Sequence, residues 1–259
     1  MWPFGRKPLV DPDTAEWHAD NFAWLVETFG ANEAFSASEL VLPKSGFFPS
    51  DGEQGHSKAL RIFERVKFYC GMENWPVVLA PDDNPAATDH ASLLLAAPVH
   101  GKHAQGTFSV TEEGIQISYA PALLAKPERL IATFAHELAH YLLATAKSAA
   151  PCADDEHEFL TDLTAAYLGF GVFMANSVFD FEQVQDGPLS GWRMGRSGYL
   201  PERDFIFATA LFIAAKDIDP SPAYPCLKPH LAKLLKQALH DVATDKHWVQ
   251  KIRASIPAS

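Results

Sequence analysis

The chain has 259 residues, 47% of them hydrophobic, and a formal net charge of −11. This length and apolar content are sufficient for a buried core, and the negative charge, without a cluster of lysine or arginine, argues against a nucleic-acid-binding protein. The 3 cysteines are widely spaced, which argues against a disulfide framework. We expect no membrane span and no secretory signal, and therefore a cytoplasmic location, because no apolar stretch is long enough.

Two amphipathic helices are predicted in the N-terminal part of the chain. The first starts at residues 13–16, which resemble a capping box, and runs to Gly30. The second covers residues 56–70 and ends at a glycine. Neither helix carries residues that indicate chemistry, so we expect residues 1–75 to form a helical N-terminal layer.

A small sheet is predicted next. Residues 75–80 are rich in β-branched side chains and bounded by prolines, which indicates a strand, and residues 92–97 are a candidate for a second strand. Residues 107–110 and 115–119 alternate between apolar and polar side chains and are separated by a turn, which predicts a β-hairpin. We therefore expect a mainly antiparallel sheet in front of the helix that follows.

That helix contains the pattern His-Glu-x-x-His at His136, Glu137 and His140. Pro127 marks its start, and apolar residues at helical spacing continue through the motif. Residues four apart lie on the same face of a helix, so both imidazoles can bind one metal ion. Glu137 lies about 100° around the helix from His136, where its carboxylate can reach a water molecule. The pattern is typical of zinc-dependent hydrolysis.

A catalytic zinc commonly has three protein ligands, and the candidates for the third lie in residues 154–162. Glu158 and Asp162 are one helical turn apart, and small residues continue their face to Gly169, which favours close packing on the first helix. His157 would complete a chemically sound three-histidine site. Alternatively, Glu158 forms a capping box with Asp155 and has only a structural role.

The two motifs together, His136-Glu137-Leu-Ala-His140 and Glu158-Phe-Leu-Thr-Asp162, resemble the gluzincin branch of the zincin metallopeptidases. The resemblance covers about thirty residues and the preceding hairpin. It implies that His136, His140 and Glu158 bind one Zn²⁺ per chain and that Glu137 is the catalytic general base. It also implies that Asp162 accepts a hydrogen bond from His136, since a ligating imidazole needs its other N–H held.

A metallopeptidase also needs a group that stabilises the oxyanion of the transition state. The segment at residues 187–198 is rich in glycine and arginine and can carry such a group to the site. The candidates are Tyr199, Arg193, Arg196, His100 and His103.

The predicted fold class is α+β and zincin-like, with a small, mainly antiparallel sheet followed by the HExxH helix. Its parts are a helical N-terminal layer (residues 1–75), a catalytic core (76–180) and a helical C-terminal part (181–259), which together form one compact unit. We expect a cytoplasmic zinc metallopeptidase, a hydrolase whose partner is a peptide or protein substrate. The alternative is a zinc-stabilised binding or regulatory protein with little or no turnover.

Overall fold

The computed structural model of the protein describes residues 7–30, 34–49, 52–82, 106–111, 114–182 and 199–256. These residues are mostly helical and include a small sheet, an α+β arrangement. The α-helices are α1 (Pro12–Phe29), α2 (Ala34–Ala37), α3 (Gly55–Tyr69), α4 (Pro127–Ala144), α5 (His157–Ala165), α6 (Gly171–Glu182), α7 (Glu202–Lys216), α8 (Pro229–Thr244) and α9 (His247–Ala254). None of them has the length and apolar content that a membrane-crossing helix requires.

In the described residues the sheet is mixed, so a mainly antiparallel sheet is not confirmed. Its strands are β1 (Val77–Pro81), β2 (Gly106–Thr111) and β3 (Gly114–Tyr119), in the order β1-β3-β2. Strands β2 and β3 pair in antiparallel fashion, whereas β1 pairs with β3 in parallel. A parallel pair needs a long crossover connection, and here a long stretch of chain separates β1 from the β2–β3 pair. The predicted strand at residues 92–97 lies outside the described residues.

Helix α4 is the central element of the fold. It packs against α3, the strands β2 and β3, α5 and α6. Its side chains are buried on all sides from Arg129 to Ala139. The apolar residues before, within and after the His-Glu motif explain this burial, because they leave no polar face for solvent. The histidines therefore lie on a helix whose position is set by packing on every side.

The chain after α4 forms a broken helical segment that packs alongside it. A short 3-10 turn (Asp154–Glu156) leads into α5, and a π-helical turn (Ala166–Phe170) joins α5 to α6. The break occurs at Gly169, whose φ is +96°. Gly169 lies against the segment before α3: its carbonyl accepts a hydrogen bond from Val41 N at 3.0 Å, and a Cβ atom would clash with the carbonyl oxygen of Glu39.

The first and last helices of the chain pack together. Lys251 on α9 forms ion pairs with Glu16 and Asp20 on α1. The short helix α2 was not predicted, whereas α7, α8 and α9 lie in the part of the chain (181–259) that was expected to be helical.

Helix α1 begins earlier than the sequence predicts. Its N-cap is Asp11, whose Oδ1 accepts a hydrogen bond from Thr14 N at 3.0 Å, and Pro12 occupies the first turn. The predicted capping box at Asp13 is therefore wrong. The hydrogen bond from Thr14 N lowers the pKa of the Asp11 carboxyl, because it stabilises the charged form.

We expect Asp11→Ala to lower the free energy of unfolding by about 1 kcal/mol, because a helix N–H loses its acceptor. Asp13→Ala, the matched control in the same exposed turn, should have a smaller effect. Since the folded-state pKa of Asp11 is depressed, its contribution is present above the unfolded-state pKa and is lost as pH falls through the folded-state pKa. Urea unfolding at neutral and acidic pH measures both effects; equal losses in the two variants would contradict the assignment.

Candidate metal centre

The motif histidines lie in the middle of α4, at the point where α5 approaches it. His136 and Glu137 are buried, with 8% and 6% of their surface exposed, and His140 is partly buried. Because His136 and His140 are four residues apart, their rings share one face of the helix, and their ring centroids are 4.7 Å apart.

Three donor atoms converge at this face. His136 Nε2 and His140 Nε2 are 3.1 Å apart, and Glu158 Oε2 lies 3.4 Å from the first and 3.5 Å from the second. Within the described residues, these three side chains form the group that could hold a metal ion. The structure therefore brings together the three residues that the resemblance to gluzincins implied as ligands.

Glu158 is available for this role because a neighbouring residue performs the capping. Glu156 Oε2 accepts hydrogen bonds from Ala153 N and from Trp17 Nε1 on α1, both at 2.9 Å. The alternative in which Glu158 caps its helix is therefore wrong. Glu156 holds the turn before α5, and Glu158, in the first turn of α5, faces the two histidines.

Asp162 holds His136 in place. Its carboxylate is fully buried, and it accepts hydrogen bonds from His136 Nδ1 at 2.9 Å and from Leu200 N at 2.8 Å. Because an ionised carboxylate is only an acceptor, Nδ1 of His136 donates to Asp162, and Nε2 is the nitrogen left to bind a metal ion. The orienting role implied for Asp162 is present, and the bond from Leu200 N adds an anchor that the sequence did not predict.

His157 is not part of this group. Its side chain is exposed at the start of α5, and its ring centroid lies 5.7 Å from that of His140. Desolvation and the nearby His140 lower the pKa of His157, as expected for an imidazole next to another potential cation. Asp154, Asp155 and Glu156 also lie outside the group of three.

The electrostatics of the pocket favour a bound cation. Burial by itself would lower the pKa of His136, but its hydrogen bonds with Asp162 and Glu158 outweigh burial and raise that pKa well above its usual value. Burial would raise the pKa of Glu158, yet the contacts with His136 and His140 hold it far below its usual value. Several carboxylates thus surround two imidazoles, and a positive charge is stabilised there.

Tyr199 is the one oxyanion candidate that falls within the described residues. Its ring centroid lies 5.6 Å from that of His136. Burial, followed by the charges of Glu158, Asp162 and Glu137, raises the pKa of Tyr199 above its usual value, so the phenol keeps its proton. Arg193, Arg196, His100 and His103 lie outside the described residues.

A hydroxyl contact on the second histidine was also not predicted. Thr161 Oγ1 lies 3.3 Å from His140 Nδ1. The sequence offered one signal for it: a threonine directly before the expected acceptor Asp162, on the helix that faces the motif.

Comparison with known proteins found no matching family model, no matching curated protein and no matching solved structure. The function of the site therefore has to be inferred from its own residues and geometry.

We expect Asp162→Asn to weaken metal binding about 10–100-fold. His136 Nδ1 and Leu200 N bond to different oxygens of Asp162, Oδ1 and Oδ2; a carboxamide has only one oxygen, so one of these donors would face an NH₂ group. Competition with a chromogenic chelator measures the affinity for Zn²⁺. Asp155→Asn, an exposed change in the same segment, is the control and should bind as the wild type does; equal affinity in both variants would contradict the role of Asp162.

Proposed function

We propose that the protein is a zinc-dependent metallopeptidase that hydrolyses peptide bonds with Glu137 as general base. The observation that carries this proposal is the convergence of His136 Nε2, His140 Nε2 and Glu158 Oε2 on one point, with Glu137 next to His136 on the same buried helix.

The distances between the donor atoms fit zinc. With metal–ligand distances of about 2.0–2.1 Å, two ligands of a tetrahedral zinc lie about 3.3 Å apart. The observed separations of 3.1, 3.4 and 3.5 Å are close to that value. Two imidazoles and one carboxylate are also a donor set of catalytic zinc sites, which leave one position for water or substrate.

Zinc bound by such ligands supplies Lewis-acid chemistry, which acidifies water and polarises a carbonyl group. Glu137 is buried beside the ligand His136, and its carboxylate would accept the proton of the attacking water and pass it to the leaving nitrogen. Burial and the charges of Glu158, Asp162 and Glu137 keep Tyr199 protonated, so its hydroxyl can donate a hydrogen bond to a developing oxyanion. These two side chains support a hydrolytic role over simple metal binding.

The second candidate is a zinc-stabilised binding or regulatory protein. The observation that favours it is the connection made by the site: the ligands join α4 to α5, and Asp162 joins both to Leu200, just before α7. A metal bound there would hold separate parts of the chain together without any turnover.

The experiment that tests the function combines zinc content with cleavage of a peptide library. Elemental mass spectrometry and chromatographic product analysis are applied to untagged wild type, Glu137→Gln, Glu158→Ala and His157→Ala. We expect about one zinc per wild-type chain, retained zinc with at least about 10²-fold slower cleavage in Glu137→Gln, and loss of zinc in Glu158→Ala. His157→Ala is the control and should keep zinc.

Each deviation has a distinct meaning. Stoichiometric zinc in the wild type without cleavage of any peptide would favour the regulatory alternative. Absence of zinc in the wild type, even after reloading with metal, would overturn the metallopeptidase proposal, and loss of zinc in Glu137→Gln would contradict the role of Glu137 as a base.

We also expect zinc to raise the thermal stability of the fold. At a free zinc concentration of 100 times Kd, binding adds about 2.7 kcal/mol, which corresponds to roughly 5–10 °C in Tm for a chain of this size. A chelator should remove this gain from the wild type. His140→Ala should show no gain, whereas His230→Ala, which removes an exposed histidine on α8, should respond as the wild type does; a zinc-dependent Tm in His140→Ala would contradict the ligand assignment.

A further inference from the structure

We propose that Thr161 is a positioning residue for the metal site, which selects the tautomer of His140 that can bind a metal. This inference rests on the proposed function, since it concerns the same site. It adds a residue that neither the His-Glu motif nor the Glu158–Asp162 pair includes.

The contacts of His140 show which of its ring nitrogens has to be free to bind a metal ion. Nε2 of His140 points at the group of three, 3.1 Å from His136 Nε2 and 3.5 Å from Glu158 Oε2. A neutral imidazole has one N–H and one lone pair, so Nε2 is a ligand only when the proton is on Nδ1. The group that faces Nδ1 is the hydroxyl of Thr161, at 3.3 Å.

The hydroxyl of Thr161 has a second contact that decides which way its proton points. Thr161 Oγ1 lies 3.0 Å from the carbonyl oxygen of His157, one turn earlier on α5. A carbonyl only accepts, so the hydroxyl proton is donated to it. The oxygen of Thr161 is then left as an acceptor towards His140, which holds the proton on Nδ1 and frees Nε2.

The reverse arrangement would block the site. If the Thr161 hydroxyl donated its proton to Nδ1, the proton of the neutral ring would lie on Nε2 and would point at Glu158 and His136. The carbonyl of His157 disfavours this arrangement, because it would lose the hydrogen bond from the Thr161 hydroxyl. The hydrogen bonds therefore run in one direction: His140 Nδ1–H donates to Thr161 Oγ1, and the Thr161 hydroxyl donates to the carbonyl of His157.

A neutral hydroxyl suits this position better than a carboxylate would. The site already contains the carboxylates of Glu137, Glu158 and Asp162, two of them buried. Thr161 itself is 0% exposed, and a further negative charge there would be costly because it would add to the carboxylates already in the site. Asp162 and Thr161 are consecutive, so one turn of α5 orients both imidazoles: His136 by a charged acceptor and His140 by a neutral one.

A purely structural role predicts a different outcome. Threonines inside helices commonly bond the carbonyl four residues earlier, and Thr164 on the same helix does so with Leu160 O at 2.7 Å. Thr164 is also 0% exposed. The Thr164 hydroxyl bonds to that carbonyl, whereas the Thr161 hydroxyl also contacts His140. Thr164 is therefore a matched control for the loss of a buried hydroxyl.

The test compares Thr161→Val, Thr161→Ser and Thr164→Val with the wild type. Affinity for Zn²⁺ is measured by competition with a chromogenic chelator, and the visible absorption of the Co²⁺-loaded proteins reports the ligand geometry. Urea unfolding of the metal-free proteins gives the structural cost of each change.

We expect Thr161→Val to bind Zn²⁺ about 10–100-fold more weakly and to alter the Co²⁺ spectrum. Thr161→Ser keeps the hydroxyl and should restore most of the affinity. Thr164→Val should cost similar stability in urea but leave the affinity and the spectrum unchanged. If Thr161→Val does not fold, a Thr161→Ser variant with wild-type affinity and spectrum still supports the role, and a Thr161→Ser variant as weak as Asp162→Asn opposes it.

The outcomes separate this inference from the proposed function. Wild-type affinity in both valine variants would overturn the role of Thr161 and leave the zinc site intact. Equal weakening in Thr161→Val and Thr164→Val would also overturn it, because the effect would then be structural. A wild type that binds neither Zn²⁺ nor Co²⁺ would overturn the metal site and, with it, this inference.

Discussion

The close approach of α5 to α4 is the constraint on which the site depends. Donor atoms on two helices can lie within 3.5 Å of one another only if the helices are held at short range. Helix α4 is held in place by packing on every side. The start of α5 is held by Glu156, which accepts hydrogen bonds from Trp17 and Ala153. The carboxylates of the pocket are then gathered in an interior of low dielectric, where protons or a cation must balance them.

Asp162 connects this local chemistry with the rest of the fold. It is fully buried and accepts one hydrogen bond from the imidazole of His136 and another from the backbone of Leu200. The residue before Leu200 is Tyr199, whose protonated phenol ring lies near His136. The carboxylate of Asp162 thus orients the ring of a proposed ligand, His136, and also holds the backbone at Leu200, just before α7. The geometry of the site is therefore coupled to the start of the C-terminal helices.

The site and the fold carry different weight in the functional inference. The sheet is mixed, with β1 parallel to β3, and the zincin-like architecture stays a prediction. The site supplies the observations for that inference: two imidazoles and a carboxylate form a group that could hold a metal ion, next to a buried Glu137. Function is carried by such side-chain geometry and not by fold class, so the metallopeptidase proposal rests on α4 and α5.

The sequence by itself determined the local features: the helix that carries His136 and His140, the β2–β3 hairpin, and Glu158 with Asp162 one turn apart on a second helix. These follow from spacing, because helical and strand periods decide which side chains share a face. Tertiary structure alone decided that Glu158, and not His157, lies next to the two histidines. It also decided the capping by Glu156, the parallel pairing of β1 and the hydrogen bonds of Leu200 and Thr161. Each of these depends on which segments meet in space, and no local pattern of residues encodes such contacts.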